Sequence, residues 1–325
     1  MHRRTGKFPV PSGLNLASNL DMVTDRSMNK THGRPLLFTL VLFCLLWVPA
    51  AHAAGRGECL AMRSRILEGP VPFCALLPPS YDEDQSRQYP VLYYLHGLGD
   101  NEQMLLRSGG WSVIQDLWER GELGEFVIVT PRGGATFYLN SRDGQYRYED
   151  FLLQEFLPFI EGRYRIRAER TSRGVAGISM GGYGALRLAF RQPNLFSAVA
   201  THSAALVAAL PALEAGGNAR GALGLFANVF GAPVDREFWD RNNPLAIART
   251  ASLGGLQIYF DCGSQDDYGF DAGAQALHNL LVSRKVTHEY HLYPGGHNAI
   301  YFAQHLPDSL VFASRALRAQ VSASP

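Results

Sequence analysis

Metal-binding spacing is missing from this sequence. The 325-residue chain has four cysteines, with neither a Cys-x-x-Cys pair nor a His-Glu-x-x-His motif, so two familiar zinc signatures are absent. His288 and His291 share one extended run, but a three-residue step turns them to opposite faces of a strand. Neither a catalytic metal nor another cofactor is expected. Charge of one sign is missing too. Lys+Arg number 30 and Asp+Glu 29, a net +1, and no Lys/Arg run follows residue 60. Nothing here would hold a polyanion, and nucleic acid is not an expected partner. No internal repeat or low-complexity linker interrupts the chain, and its 46% hydrophobic content is that of a globular protein.

Long apolar runs are scarce. The run Leu36–Val48 has thirteen residues, too short to span a bilayer comfortably. It follows Lys30, His32 and Arg34 and precedes Ala51-His52-Ala53, the layout of a secretory signal peptide with a small-residue cleavage site. The expected mature start is near Ala54, with residues 1–53 as N-terminal extension and signal, and an exported, periplasmic or secreted product without a stable membrane span. An uncleaved anchor is the alternative. Residues 1–27 are polar and lack periodicity, so Met28 or Met22 is expected to be the start in place of Met1. Cleavage would remove Cys44. Cys59 and Cys74 flank a turn, Glu68-Gly69-Pro70, between two strand-like runs, and a hairpin there leaves a disulfide or two free thiols equally open. Cys262, in an apolar run, reads as a buried thiol.

From about residue 58 to 322 one pattern holds. "VLYYLHG" (91–97), "FVIVTP" (126–131), "RGVAGIS" (173–179), "FSAVATHSA" (196–204), "LQIYFDCG" (256–263) and "THEYHLYPGG" (287–296) read as strands, several apolar on both faces. Amphipathic segments between them read as helices, as in "YEDFLLQEFLPFIEGRY", and "LPDSLVFASRALRAQV" is read as the last helix. Alternation of this kind implies an α/β domain on a mostly parallel sheet. Residues 205–245, rich in Ala and Gly, read as a small helical insertion above it.

One Gly-x-Ser-x-Gly occurs: Gly177-Ile178-Ser179-Met180-Gly181. Chance alone supplies roughly 0.2 such matches in a chain of this composition, so context decides. Ser179 ends a strand and opens a helix, the setting of a nucleophile elbow. Side chains two before and two after would clash, hence Gly177 and Gly181. Gly182 and Gly184 let the helix pack closely. A hydrolytic serine also needs an acid, a base and oxyanion donors. The loop after "LQIYFDCG" offers Asp266 and Asp267, with Asp261 ambiguous inside the strand. His297 in "YPGGHNAIYF" completes the order Ser, Asp, His. Among other histidines, His96 reads as a structural residue of the oxyanion loop and His202 as satisfied core. Oxyanion donors would be the amides of Met180 and, after "VLYYL", of Leu98. Trp111, Phe137 and Tyr138 could line a substrate pocket or simply pack the core.

"YPVLYYLHGLGDN", "GVAGISMGGYGALRLAFRQPNLFSAV" and "CGSQDD…YPGGHNAIYF" resemble the Putative esterase family of α/β-hydrolases, which includes esterase D, feruloyl esterases and the antigen 85 mycolyltransferases. The resemblance runs from about residue 70 to 315. It implies the α/β-hydrolase fold, a nucleophile at Ser179, an acid at Asp266, a base at His297, and oxyanion amides at Leu98 and Met180. The activity it implies is carboxylic ester hydrolysis through an acyl-enzyme, on a small-molecule or carbohydrate-linked ester. Acyl transfer to a sugar or alcohol is the second reading, and a non-catalytic envelope protein the third. "GLGDNEQM" does not resemble the sugar-contacting loop of the mycolyltransferases. The export expectation is checked by mass analysis of the exported protein: a start near Ala54 is expected, and an intact N-terminus before residue 50 overturns it.

Overall fold

The computed structural model describes residues 54–208, 210 and 226–319. The expected signal segment and start sites (1–53), and residues 209 and 211–225 of the Ala/Gly-rich insertion, lie outside the described residues.

Eight strands form one sheet: β1 (Arg56–Ser64), β2 (Gly69–Leu77), β3 (Val91–Leu95), β4 (Val127–Pro131), β5 (Arg173–Ile178), β6 (Ala198–His202), β7 (Gln257–Gly263) and β8 (Glu289–Tyr293). Their order is β1-β2-β4-β3-β5-β6-β7-β8. β1 and β2 are an antiparallel hairpin that joins β4 antiparallel, and every other pairing is parallel. β3 to β6 are buried along their whole length, as strands covered on both faces must be, and this is why they read as unbroken apolar runs. The edge strands β1 and β8 carry exposed positions instead. Cys59 stands opposite Cys74 in the hairpin register and the two are bridged, which settles the open alternative; Cys262 is a buried free thiol.

Helices cover both faces. Those of seven residues or more are α1 (Gly110–Glu119), α2 (Tyr148–Phe151, a π turn Leu152–Phe156, then Leu157–Arg163), α3 (Met180–Arg191), α4 (Arg236–Asn242), α5 (Pro244–Thr250), α6 (Phe270–Ser283) and α7 (Ala299–Ala319). One core joins α2, α3, α5 and α6 to one face of the sheet, and a second joins α1 and α7 to the other. This is the α/β-hydrolase architecture. Among the described residues no helix is long and apolar enough to cross a membrane.

α7 begins earlier than the sequence suggests. The last helix was read from Leu306, but it starts at Ala299 and runs through Pro307. Its true start is a polar cap: Asn298 Oδ1 accepts from the Tyr301 amide at 3.1 Å. The earlier start matters for function, because it puts His297 directly ahead of a helix cap.

The turn from β5 into α3 is set by glycine. A Cβ on Gly181 would lie 2.0 Å from the Leu95 carbonyl oxygen, and one on Gly177 2.6 Å from Gly181 backbone. Backbone cannot yield there as a flexible side chain could. A Cβ on Gly97, by contrast, would meet only side-chain atoms at 3.5 Å. Gly181→Ala is therefore expected to cost about 3 kcal/mol or more in urea unfolding, and Gly97→Ala about 1 kcal/mol or less. Equal midpoints for the two variants would contradict this account.

Candidate functional site

The site forms at the C-terminal edge of the sheet, where open α/β sheets gather their ligands. Ser179 sits between β5 and α3 with φ 51° and ψ −116°, a left-handed conformation rare for a residue with a side chain. The kink carries Oγ out of the sheet edge and leaves Ser179 partly exposed while its neighbours Ile178 and Met180 are buried. The turn is held from the strand side, where the Ser179 amide donates to the His202 carbonyl at 3.0 Å.

Two loops bring partners to this serine. His297 Nε2 lies 2.9 Å from Ser179 Oγ, and His297 Nδ1 lies 2.7 Å from Asp266 Oδ2. Asp266 is buried, and its Oδ1 accepts from the Tyr268 and Phe270 amides at 3.0 and 3.4 Å. Burial works against the ionised carboxylate, but His297 and these two amides outweigh it and hold the carboxyl below its usual value. Asp267, the competing candidate, holds the main chain instead, its Oδ2 accepting from the backbone amide of His297 at 2.9 Å. Adjacent carboxylates thus fix the ring and the main chain of one histidine. The ring is further enclosed edge-on by Tyr268, Phe270 and Phe302.

The loop after β3 lies against the serine, with Gly97 in contact range of Ser179 Cβ. Among the described residues neither the Leu98 nor the Met180 amide has a protein acceptor. For Met180 this is the ordinary state of a first-turn helix amide, which points outward with the positive end of the helix dipole. Two donors without protein acceptors thus lie one residue after Ser179 and one residue after Gly97.

The structural role read for His96 is borne out, and its partners, which the sequence did not name, make a clamp that fixes this loop. His96 is fully buried; its Nε2 accepts from the Gly133 amide at 2.8 Å, so its Nδ1 carries the proton and donates to the Gly97 carbonyl at 2.7 Å. Burial lowers the pKa of this imidazole, in keeping with a neutral structural role. Tyr138 completes the clamp by donating to the His96 carbonyl at 3.1 Å. Phe137 and Tyr138 both have positive φ, 52° and 58°, and both are wholly buried. Tyr138 therefore has no face for a substrate, and of the two readings open for it the structure places it in the core. Trp111 is half-buried and packs edge-on against Trp118. The signal for its partners in the sequence was the Gly133-Gly134 pair, since a Cβ on Gly133 would collide with the Tyr138 ring.

Asp261 belongs to a second chain of polar groups. Its Oδ2 lies 2.7 Å from His202 Nδ1, and His202 Nε2 lies 2.6 Å from Ser309 Oγ. The Tyr259 and Tyr301 hydroxyls also donate to Asp261, at 2.8 and 2.7 Å. All three members of this chain are buried. Tyr301 also packs where a Cβ on Gly295 would stand, so the network braces the loop that carries His297. No three His, Cys, Asp or Glu side chains converge as metal ligands among the described residues.

The family model described as Putative esterase matches residues 64–313. The chain belongs to this esterase family. An esterase of Mycobacterium tuberculosis is 33% identical over 256 residues, which is 68% of this chain and 51% of that protein. The chain therefore spans about half the length of that relative. A diacylglycerol acyltransferase/mycolyltransferase of Mycobacterium leprae is 27% identical over 266 residues, 74% of this chain and 77% of the relative. A solved ferulic acid esterase superposes with a TM-score of 0.69 at 25% identity, over 82% of this chain and 99% of its own.

Both buried carboxylates of this esterase-family site bear on stability. Burial opposes ionisation of Asp261, but His202 and the two tyrosine hydroxyls outweigh it and lower its pKa, as with Asp266. Each stabilises the fold above the unfolded value of about 3.9, and that contribution is lost as pH falls through the lower folded value. Urea midpoints should decline below about pH 4. Asp261→Asn should cost about 3 kcal/mol at neutral pH, because the amide NH2 that replaces one carboxylate oxygen cannot accept from the donors that faced it, and the charge opposite His202 is lost. An unchanged midpoint in that variant would remove the network from the stability account.

Proposed function

We propose that this chain is a serine carboxylic ester hydrolase working through Ser179, His297 and Asp266. The observation that carries the reading is the continuous chain Ser179 Oγ–His297–Asp266, at 2.9 and 2.7 Å, opening beside two unpaired amides. His297 Nε2 takes the Ser179 proton as Oγ attacks the ester carbonyl. Asp266 keeps the ring oriented and stabilises the imidazolium that forms. The Leu98 and Met180 amides receive the oxyanion; donors of this kind each contribute roughly 3 kcal/mol to the transition state. His297 then protonates the leaving alcohol, and water attacks the acyl-enzyme by the reverse of the same steps. Export through the segment before Ala54 belongs to the same proposal, and it places the substrate outside the cytoplasm.

Transfer of the acyl group to an alcohol in place of water is the second reading, favoured by the likeness to the mycolyltransferase. Both share the acyl-enzyme, so one experiment addresses them. Ser179→Ala should abolish turnover of a short-chain p-nitrophenyl ester and labelling by a fluorophosphonate, and Asp266→Asn should lower kcat by about 10⁴. Full activity in Ser179→Ala overturns the proposal. Product analysis with added alcohol then separates the readings: free acid alone supports hydrolysis, and a new ester supports transfer.

A further inference from the structure

A cavity of about 280 Å³ opens beside the candidate triad, between the loop after β3, the start of α1 and the first turns of α7. Met104, Val113, Phe302 and Leu306 line it, and Ile178, the residue before Ser179, contributes to the wall. The polar side chains on its lining are Tyr94, Asp100 and Ser108. Phe302 connects the cavity to the chemistry, since its ring meets His297 edge-on at 5.2 Å between centroids.

We propose that this cavity holds the alcohol half of the ester, and that this alcohol is an alkyl or aryl group and not a sugar. The inference rests on the Ser179–His297 reading and extends it to substrate class. At the attacked carbon three directions are available. The carbonyl oxygen turns to the Leu98 and Met180 amides. The leaving oxygen must approach His297 Nε2, because that nitrogen supplies its proton. Whatever is attached to the leaving oxygen therefore lies on the imidazole side, and there the wall is the helix that begins at Ala299, two residues beyond His297. A sugar would need its hydroxyls paired on burial, and a wall of mostly aliphatic and aromatic side chains leaves them unpaired at a cost. An apolar cavity of about 150 Å³ takes a benzene ring, so this volume admits a ring or a medium alkyl chain.

An independent observation points the same way. Seven large hydrophobic side chains are exposed among the described residues, and three of them surround the triad. These are Leu98 at 41%, Tyr268 at 49% and Ile300 at 79% exposure. Tyr268 touches the His297 ring, and Ile300 follows it by three residues. Single exposed hydrophobics are ordinary, but three of them close to one serine–histidine pair mark a surface that receives an apolar partner.

The test compares butyrate esters of ethanol, hexanol and glucose, so that every substrate passes through one acyl-enzyme. Each buried methylene contributes about a fourfold gain, and partial burial of four of them should raise kcat/KM about tenfold or more from ethyl to hexyl. The glucose ester should fall below the ethyl ester. Ala303→Trp, which projects into the cavity from an exposed position on α7, should bring the hexyl-to-ethyl ratio toward one. Val113→Trp enters from α1 and serves if the first variant does not fold, with circular dichroism as the check. A flat alcohol series, or a preference for the glucose ester, overturns the inference. So does a variant that alters acyl-chain preference while leaving the alcohol ratio unchanged, since the cavity would then hold the acyl group. Hydrolysis that persists in Ser179→Ala defeats the underlying esterase reading instead, and the two failures stay distinct.

Discussion

The contact on which the rest depends is the one between Gly181 and the Leu95 carbonyl. α3 starts so close to the end of β3 that no side chain fits between them. That approach does three things at once. It forces Ser179 into the left-handed region and turns Oγ outward. It puts the free Met180 amide at the head of a helix. It also sets the loop after β3 beside the serine, so that the Leu98 amide has somewhere to point. Backbone strain at one residue is stable here because packing on both sides over-determines it.

Loops then supply what strands cannot. The β3 loop would be free to swing on its own, but the His96 ring fastens it on one side to Gly133 and on the other to its own Gly97 carbonyl. The β8 loop is held three ways: by Asp266 at the imidazole, by Asp267 at the main chain, and by Tyr301 packed at Gly295. A general base must keep its hydrogen-bond geometry through the reaction, and three separate anchors confine it better than one strong contact.

Much of this was legible in the chain. Strands buried on both faces announce themselves as apolar runs, so β3 to β7 and the parallel sheet followed from pattern alone. Ser179 and His297 could be named because strand–turn–helix context and chain order constrain them tightly. Asp266 and Asp267 could not be separated from spacing, since adjacent residues in a loop have no periodicity to say which way each side chain turns; the family resemblance chose between them. Tyr138 stayed ambiguous for a related reason. Whether an aromatic in a loop faces the solvent or the core depends on left-handed dihedrals at Phe137 and Tyr138, which residue type argues against. The start of α7 was read seven residues late, at Leu306, because its cap is a single polar residue, Asn298, inside the loop that carries His297.

The buried chain Ser309–His202–Asp261 shows why the constellation alone is not a site. Its separations, 2.6 and 2.7 Å, are close to the 2.9 and 2.7 Å of Ser179–His297–Asp266, and its residue types are the same. The difference lies around the serine. Ser309 sits within α7, where its hydroxyl donates to the Leu306 carbonyl of its own helix at 3.1 Å. Its amide has an intrahelical acceptor to serve, so no free donor awaits an oxyanion. It is sealed from solvent, so neither ester nor water can arrive. Ser179 is at a helix start, partly exposed, next to unpaired amides and an open apolar cavity. A similar side-chain arrangement thus serves stability in one place and is suited to acyl chemistry in the other. What separates them is the serine's setting: exposed at the head of a helix beside free amides in one, sealed within a helix in the other.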